Sequence, residues 1–220
     1  MMFDELIEKI QQRLNKGSLP GLEIHLQLAP RLRIPEIKDF SLRDNAKKSS
    51  VLILLYPYKN SVYLVLTVRQ QYAGVHSGQV SLPGGKFEIK DINLTQTALR
   101  EAKEEIGVDI DKITVIGTLS ELYIPPSNFL VLPVVAYTSE RPMFKHDTIE
   151  VAEIVEIDLN QILSKDSISE KEIFINESIK FKAPCFYINN LVIWGATAMI
   201  LNEFKHIVKE FIKLETNSDL

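Results

Sequence analysis

Apolar residues Phe3, Leu6, Ile7, Ile10 and Leu14 recur at helical spacing ahead of Lys16-Gly17, which predicts an amphipathic opening helix ending near that glycine. From Gly17 to Ser50, prolines and a cluster of Lys and Arg break any period, and the stretch is expected to be irregular wrapping. Val51 to Tyr56 is then a continuous apolar run. Across the turn-like Lys59-Asn60, Val62, Leu64, Leu66 and Val68 alternate with their neighbours, which predicts a β-hairpin. Ile113–Leu122 and Phe129–Tyr137 give two further strands around the Pro125-Pro126-Ser127-Asn128 turn. Between these pairs Leu94, Ala98, Ala102 and Ile106 step by four. This small-residue stripe predicts a helix lying close on a sheet, with Gly107 as its stop. A short helix and short strands are expected between Ile154 and Tyr187, and a last helix over Leu191 to Leu214. Periodicity alone supports an α/β or α+β class.

At 220 residues the chain is read as one domain, with an N-terminal helix and wrapping segment (1–48), a core (49–205) and a helix end and tail (206–220). The formal net charge of -4 does not suggest nucleic-acid wrapping, so an anionic ligand has to be drawn in locally or through a cation. Cys185 is the only cysteine, which excludes an intramolecular disulfide and a thiolate zinc cluster. Acids at Asp4 and Glu5 stand where a secretory signal needs positive charge, and no apolar run reaches the length of a membrane span. The expected location is cytoplasmic, with no membrane partner.

The chemistry concentrates between Ser77 and Val108. Glu101, Glu104 and Glu105, at i, i+3 and i+4, project from one helical face and can share a cation. They sit near a helix C-terminus, where the macrodipole and their mutual repulsion each cost a few tenths of a kcal/mol up to about 1. A hard divalent ion with oxygen ligands reverses both penalties. Such a triplet alone would be ordinary solvated charge. Its setting is more specific, with Pro83-Gly84-Gly85 upstream, Arg100 beside the first acid and Gly107 after the last.

Gly85 onward, through Arg100-Glu101-Ala102-Lys103-Glu104-Glu105-Ile106-Gly107-Val108, resembles the box of the Nudix hydrolases. The second half matches at every defined position. In the first half Ile92 stands where glutamate is usual, with Asp91 and Glu88 nearby and one extra residue between Gly85 and Arg100. That longer box resembles the coenzyme A diphosphatase branch. So do Leu66-Thr67-Val68-Arg69, Gly78, Pro83-Gly84-Gly85, Tyr123 to Phe129, Glu150-Val151 and Ile193-Trp194-Gly195-Ala196-Thr197. Gly74 and Leu82 depart from it, replacing an arginine and a phenylalanine.

The resemblance implies a Nudix α/β/α sandwich with a mixed β-sheet and the box helix lining the cleft. It also implies metal-dependent hydrolysis of a diphosphate bond with Mg²⁺ or Mn²⁺. Glu101, Glu104 and Glu105 would hold the metal, Arg100 would orient one of them, and Glu101 or Glu105, or else Glu150 or Glu153, would act as base. Arg69, Gly84, Gly85 and Lys86 are candidate substrate contacts. The implied substrate is coenzyme A or an acyl derivative, cut to 3′,5′-ADP and phosphopantetheine. The alternatives are a sugar nucleotide, a dinucleotide or NADH, or a non-catalytic nucleotide-binding module. Arg100, Arg69, Glu150 and Glu153 each also have a plain reading as surface charge. A homodimer is compatible with the chain, which does not itself report an assembly.

Overall fold

A computed structural model describes residues 2–70, 78–176 and 179–218. The opening helix α1, Phe3–Leu14, buries Leu6, Ile7 and Ile10. The segment expected to be irregular contains α2, Leu22–Gln27, and α3, Ile34–Lys38, and ends inside strand β1, Lys47–Tyr58. These helices are too short to show a period, and their buried residues are packed from outside.

The hairpin forms as expected. β1 turns through Lys59 and Asn60, both at positive φ, into β2, Ser61–Arg69, with Tyr58 facing Ser61. Two positive-φ residues are what a two-residue hairpin turn of matching twist requires. β3, Val80–Ser81, pairs with β2, and β4, Gly84–Lys86, pairs with β1. The predicted strand Ile113–Leu122 is broken into β5, Thr114–Thr118, and β6, Leu122–Ile124, which pair with the same partner strand in registers one residue apart. β7, Phe129–Tyr137, runs parallel to β1, whereas the other pairings are antiparallel, so the sheet is mixed. β8, Val151–Asp158, closes it against β2. The central order is β3-β2-β1-β7-β5.

Beyond β8 lie α5, Leu159–Leu163, then β9, Ile168–Asn176, β10, Ile179–Ile188, and β11, Leu191–Trp194, as a second antiparallel sheet. The strands exceed the expected short ones. The expected helix from Leu191 also needs correction, since Leu191–Trp194 is a strand and the helix, α6, spans Gly195–Ser218. Asn189 and Asn190, both at positive φ, make the turn that lets Leu191 to Trp194 fold back on β10.

Strand alternation divides the core. Leu52, Leu54 and Tyr56 of β1 face helix α4, Leu94–Ile106, whose Ala98 and Ala102 let it lie close to the sheet. Ile53 and Leu55 face the opposite layer, with α1 and Phe204 and Val208 of α6. Helices therefore cover both sheet faces.

Candidate active site

Helix α4 is well started and well stopped. Asn93 accepts a hydrogen bond from the Gln96 N–H at 2.9 Å, and Gln96 Oε1 accepts one from the Ile92 N–H, so two donors at the helix start are satisfied. Gly107, in the left-handed region, ends it and donates back to the carbonyl of Lys103. The loop that follows β7 docks on this end. The Lys145 and Asp147 N–H groups donate to the carbonyls of Ile106 and Glu105. A Cβ on Gly107 would strike the Lys145 backbone. This docking carries Glu150 toward the helix.

Arg100 is the hub. Its Nε and Nη2 donate to the two carboxylate oxygens of Asp91 at 2.8 and 3.0 Å. Nη2 also reaches the carbonyl of Lys86, and Nη1 lies 2.8 Å from an oxygen of Glu101 and of Glu104. Asp91, with its side chain 2% exposed, accepts further bonds from Thr97 Oγ1 and the Glu88 N–H. The Arg100 guanidinium above all holds the Asp91 carboxyl well below the usual carboxylate range.

Glu105 is 4% exposed, and its Oε2 accepts from the Gly84 N–H at 3.0 Å. Burial pushes its carboxyl up to about 7. That hydrogen bond and Arg69 pull against the rise, whereas Glu101 and Glu150 add to it. Burial also raises the half-buried Glu101, against the pull of Arg100. Strand β4 carries no side chain beside these acids. A Cβ on Gly85 would run into the Glu101 carboxylate, and one on Gly84, at φ 152°, into Ser50 O and Val51.

The structure thus brings Glu101, Glu105, Arg69, Gly84, Gly85 and Glu150 together. Glu104 stands apart, 53% exposed and turned to Arg100 and Lys90. Lys86 lends its carbonyl to Arg100. Glu153 lies on β8, where Ile154 packs with the α4 layer and Val155 with the opposite one; alternation directs Glu153 away from α4. Gly74 lies outside the described residues, and Leu82 is a core side chain.

A buried and a half-buried carboxylate, both of raised pKa on one helical face, are a donor set that a hard divalent cation fits. Glu101 and Glu105 would hold it, whereas Glu104, expected as a third ligand, is turned to Arg100 and Lys90. Among the described residues no three side chains close into a preformed cage. Water and substrate oxygens would fill the remaining positions.

A cleft of about 770 Å³ opens against the same strand. Gly84, Gly85, Lys86 and Arg69 line it, but none of the α4 carboxylates does. Gly85 stands between this cavity and the α4 acids, lining the one and touching the Glu101 carboxylate with the other side. The rest of the lining comes from outside the box, including Leu32, Phe129, Phe181 and Trp194. Of these four, Phe129 and Trp194 fell within motifs legible in the sequence.

The family model for the NUDIX domain matches residues 46–175. A protein described as "Uncharacterized Nudix hydrolase NudL" from Photorhabdus laumondii subsp. laumondii is 31% identical over 76% of this chain and 88% of its own length. One of the same description from Yersinia pestis is 34% identical over 67% and 71%. Among solved structures, a MutT/nudix family protein from Enterococcus faecalis aligns over 88% of this chain and 76% of its own, with 14% identity and a TM-score of 0.49.

Proposed function

The chain belongs to the Nudix hydrolase family, and from that premise we propose that it hydrolyses the diphosphate bond of coenzyme A or an acyl derivative, giving 3′,5′-ADP and a phosphopantetheine. The observation that carries this reading is the arrangement about Gly84 and Gly85, with Glu101 and Glu105 on one side, and Arg69 and a ligand-sized cleft on the other. The upstream run Leu66-Thr67-Val68-Arg69 and the longer box favour the coenzyme A branch.

A bound Mg²⁺ or Mn²⁺ would activate water and offset charge on the phosphates and leaving group. The chain's own contributions follow from the contacts. Arg69 attracts and orients the diphosphate by charge. Glycines at 84 and 85 let a ligand approach the backbone, since no side chain intervenes. Asp91 fixes Arg100, and Arg100 fixes the Glu101 carboxylate. We assign the general base to Glu150. Its charge reaches both Glu101 and Glu105, and its exposed position lets it pass the proton to solvent.

Purified protein incubated with coenzyme A and Mg²⁺ should yield adenosine 3′,5′-bisphosphate by chromatography, and EDTA should abolish the product. A panel of sugar nucleotide, dinucleoside polyphosphate and NADH runs beside it. Rapid cleavage of one of these with coenzyme A intact would transfer the activity to that substrate. Glu150→Gln should lower kcat and leave KM within about twofold, since the loss is of proton transfer rather than binding.

A further inference from the structure

The cavity has two chemistries. Where it meets β4 it is bounded by cations, Arg69 and Lys86, and by the bare backbone of Gly84 and Gly85. Elsewhere its wall is mainly aliphatic and aromatic: Leu32 from the segment before α3, Ile124 and Phe129 around the β6–β7 turn, Phe181 of β10 and Trp194 of β11, with Arg33, paired to Glu36, and Ser127 as polar members. Phe181 and Trp194 meet edge to face with ring centres 5.7 Å apart. Two of the polar lining groups are already engaged, Ser81 with Thr67 and Thr197 with the carbonyl of Val80. A sugar placed against such walls would lose hydration without regaining its hydrogen bonds, whereas an alkyl chain would gain by leaving water.

Leu32 is 75% exposed although it lines the cavity, a large apolar side chain kept at the mouth with little of its own surface covered. Leu32, Phe181 and Trp194 all lie outside the span 46–175 matched by the family model. The parts of the chain that flank the hydrolase core therefore add Leu32, Phe181 and Trp194 to an apolar wall that Ile124 and Phe129 of the core share.

We propose that this wall is a subsite for an apolar arm carried on the diphosphate, a linear acyl or alkyl chain. Leu32, Phe181 and Trp194 are the residues that set preference for its length. The occupant follows from continuity: the cationic end at Arg69 and the apolar wall belong to one cavity, so one ligand bearing an anionic centre and a hydrocarbon arm satisfies both. The subsite deepens the diphosphatase reading above, and rests on it for the identity of the anionic group.

Trp194 is the only tryptophan in the chain and reports on its own wall. With EDTA present to hold turnover off, the full-length protein is titrated with adenosine diphosphate esterified on its terminal phosphate by methanol, hexanol or decanol. Trp194 fluorescence gives Kd, and hydrolysis of the same esters is then followed with Mg²⁺. Kd is expected to fall about fourfold for each methylene that enters, as about 0.8 kcal/mol per buried CH₂ implies, until the wall is filled. Leu32→Asp, at an exposed position where folding is not at stake, is expected to weaken decyl binding tenfold or more. Phe181→Ala should flatten the dependence on length. Equal affinities across the series, or a length dependence that survives both substitutions, would overturn the subsite. Length-dependent binding with no hydrolysis of any ester would leave the subsite standing and overturn the diphosphatase activity. Hydrolysis at rates independent of chain length, with no fluorescence response, would do the reverse.

Discussion

Asp91 grips the guanidinium of Arg100 through both carboxylate oxygens, at 2.8 and 3.0 Å, from the loop position next to the one where the family box carries glutamate. Ile92, at that position, is 85% exposed and takes no part. Asp91 makes the contacts that would position Arg100 instead, and Thr97 and the Glu88 N–H hold its carboxylate in line. Asp91→Ala is expected to lower kcat by roughly 10–100-fold, as loss of an orienting partner does in metal sites. Ile92→Ala should leave turnover within about twofold, in keeping with an exposed side chain. Steady-state kinetics of the two variants check this. Equal losses at both positions would show the loop to be sensitive as a whole and remove the special role of Asp91.

Glu105 makes stability depend on pH and on metal. Its carboxyl is raised to about 7 by burial, so the folded state holds the proton more tightly than the unfolded chain. The sign follows: the contribution is complete below about 4.5, the ordinary carboxylate value, and is lost as pH rises through about 7. In EDTA the melting midpoint should therefore decline over that window, by an amount on the order of 3 kcal/mol in unfolding free energy. Mg²⁺ should restore more stability at pH 8 than at pH 5.5, because the ionised pair binds it. Calorimetric scans with and without Mg²⁺ at the two pH values measure this, and a Mg²⁺ effect that is the same at both would count against the metal assignment.

Gly85 and Gly84 are not equivalent. A Cβ on Gly85 meets the Glu101 carboxylate, a side-chain end that can move, whereas one on Gly84 meets Ser50 O and the Val51 backbone at a φ that L residues rarely adopt. Gly85→Ala is expected to fold, displace Glu101 and cut kcat by about 100-fold, since small misplacements at a reacting centre carry that penalty. Gly84→Ala is expected to lose roughly 2–4 kcal/mol of stability by overpacking and backbone strain. Urea unfolding beside kinetics separates the two, and a Gly85→Ala enzyme of full activity would place Glu101 outside the chemistry.

Much of this was legible in the sequence, and the unread part has physical causes. The hairpin about Lys59-Asn60 and helix α4 announce themselves because their periods are long and their turn and stop residues specific. Helices α2 and α3 are too short to show a period and are held by side chains remote in sequence. His25 and the Gly21 N–H, with Ser120, bind the buried Glu203 of α6. Leu191–Trp194 reads as helix or strand from its apolar run alone, and the Asn189-Asn190 turn decides it. The acids of the site were visible as a group. That Glu104 turns to Arg100, and that Gly85 stands between the cavity and the α4 acids, depends on how the sheet is layered, which no local pattern reports.

The Glu203 cluster also gives a test of what fastens the N-terminal segment. Burial alone would raise the Glu203 carboxyl, but hydrogen bonds from His25 and Ser120 outweigh it and hold the group below its ordinary value. A depressed carboxyl contributes stability above the unfolded value near 4.5 that is lost as pH falls through the folded one. Glu203→Ala should cost about 3–5 kcal/mol at pH 7, the usual cost of removing one partner from a buried pair. It should also flatten the acid limb of the stability profile. A loss below about 1 kcal/mol in chemical denaturation would mean that the segment is held by apolar packing instead.

The central claim is that the buried acids of α4 carry out phosphoanhydride hydrolysis, and turnover of coenzyme A with saturating Mg²⁺ by Glu105→Gln measures it most directly. The substitution keeps an oxygen to accept from the Gly84 N–H and removes only the charge. The rate is expected to fall by about a thousandfold or more, with the far-ultraviolet spectrum retained and the melting midpoint not lowered, as loss of one group stabilising the transition state implies. A folded Glu105→Gln protein that turns over at the parent rate would contradict the account.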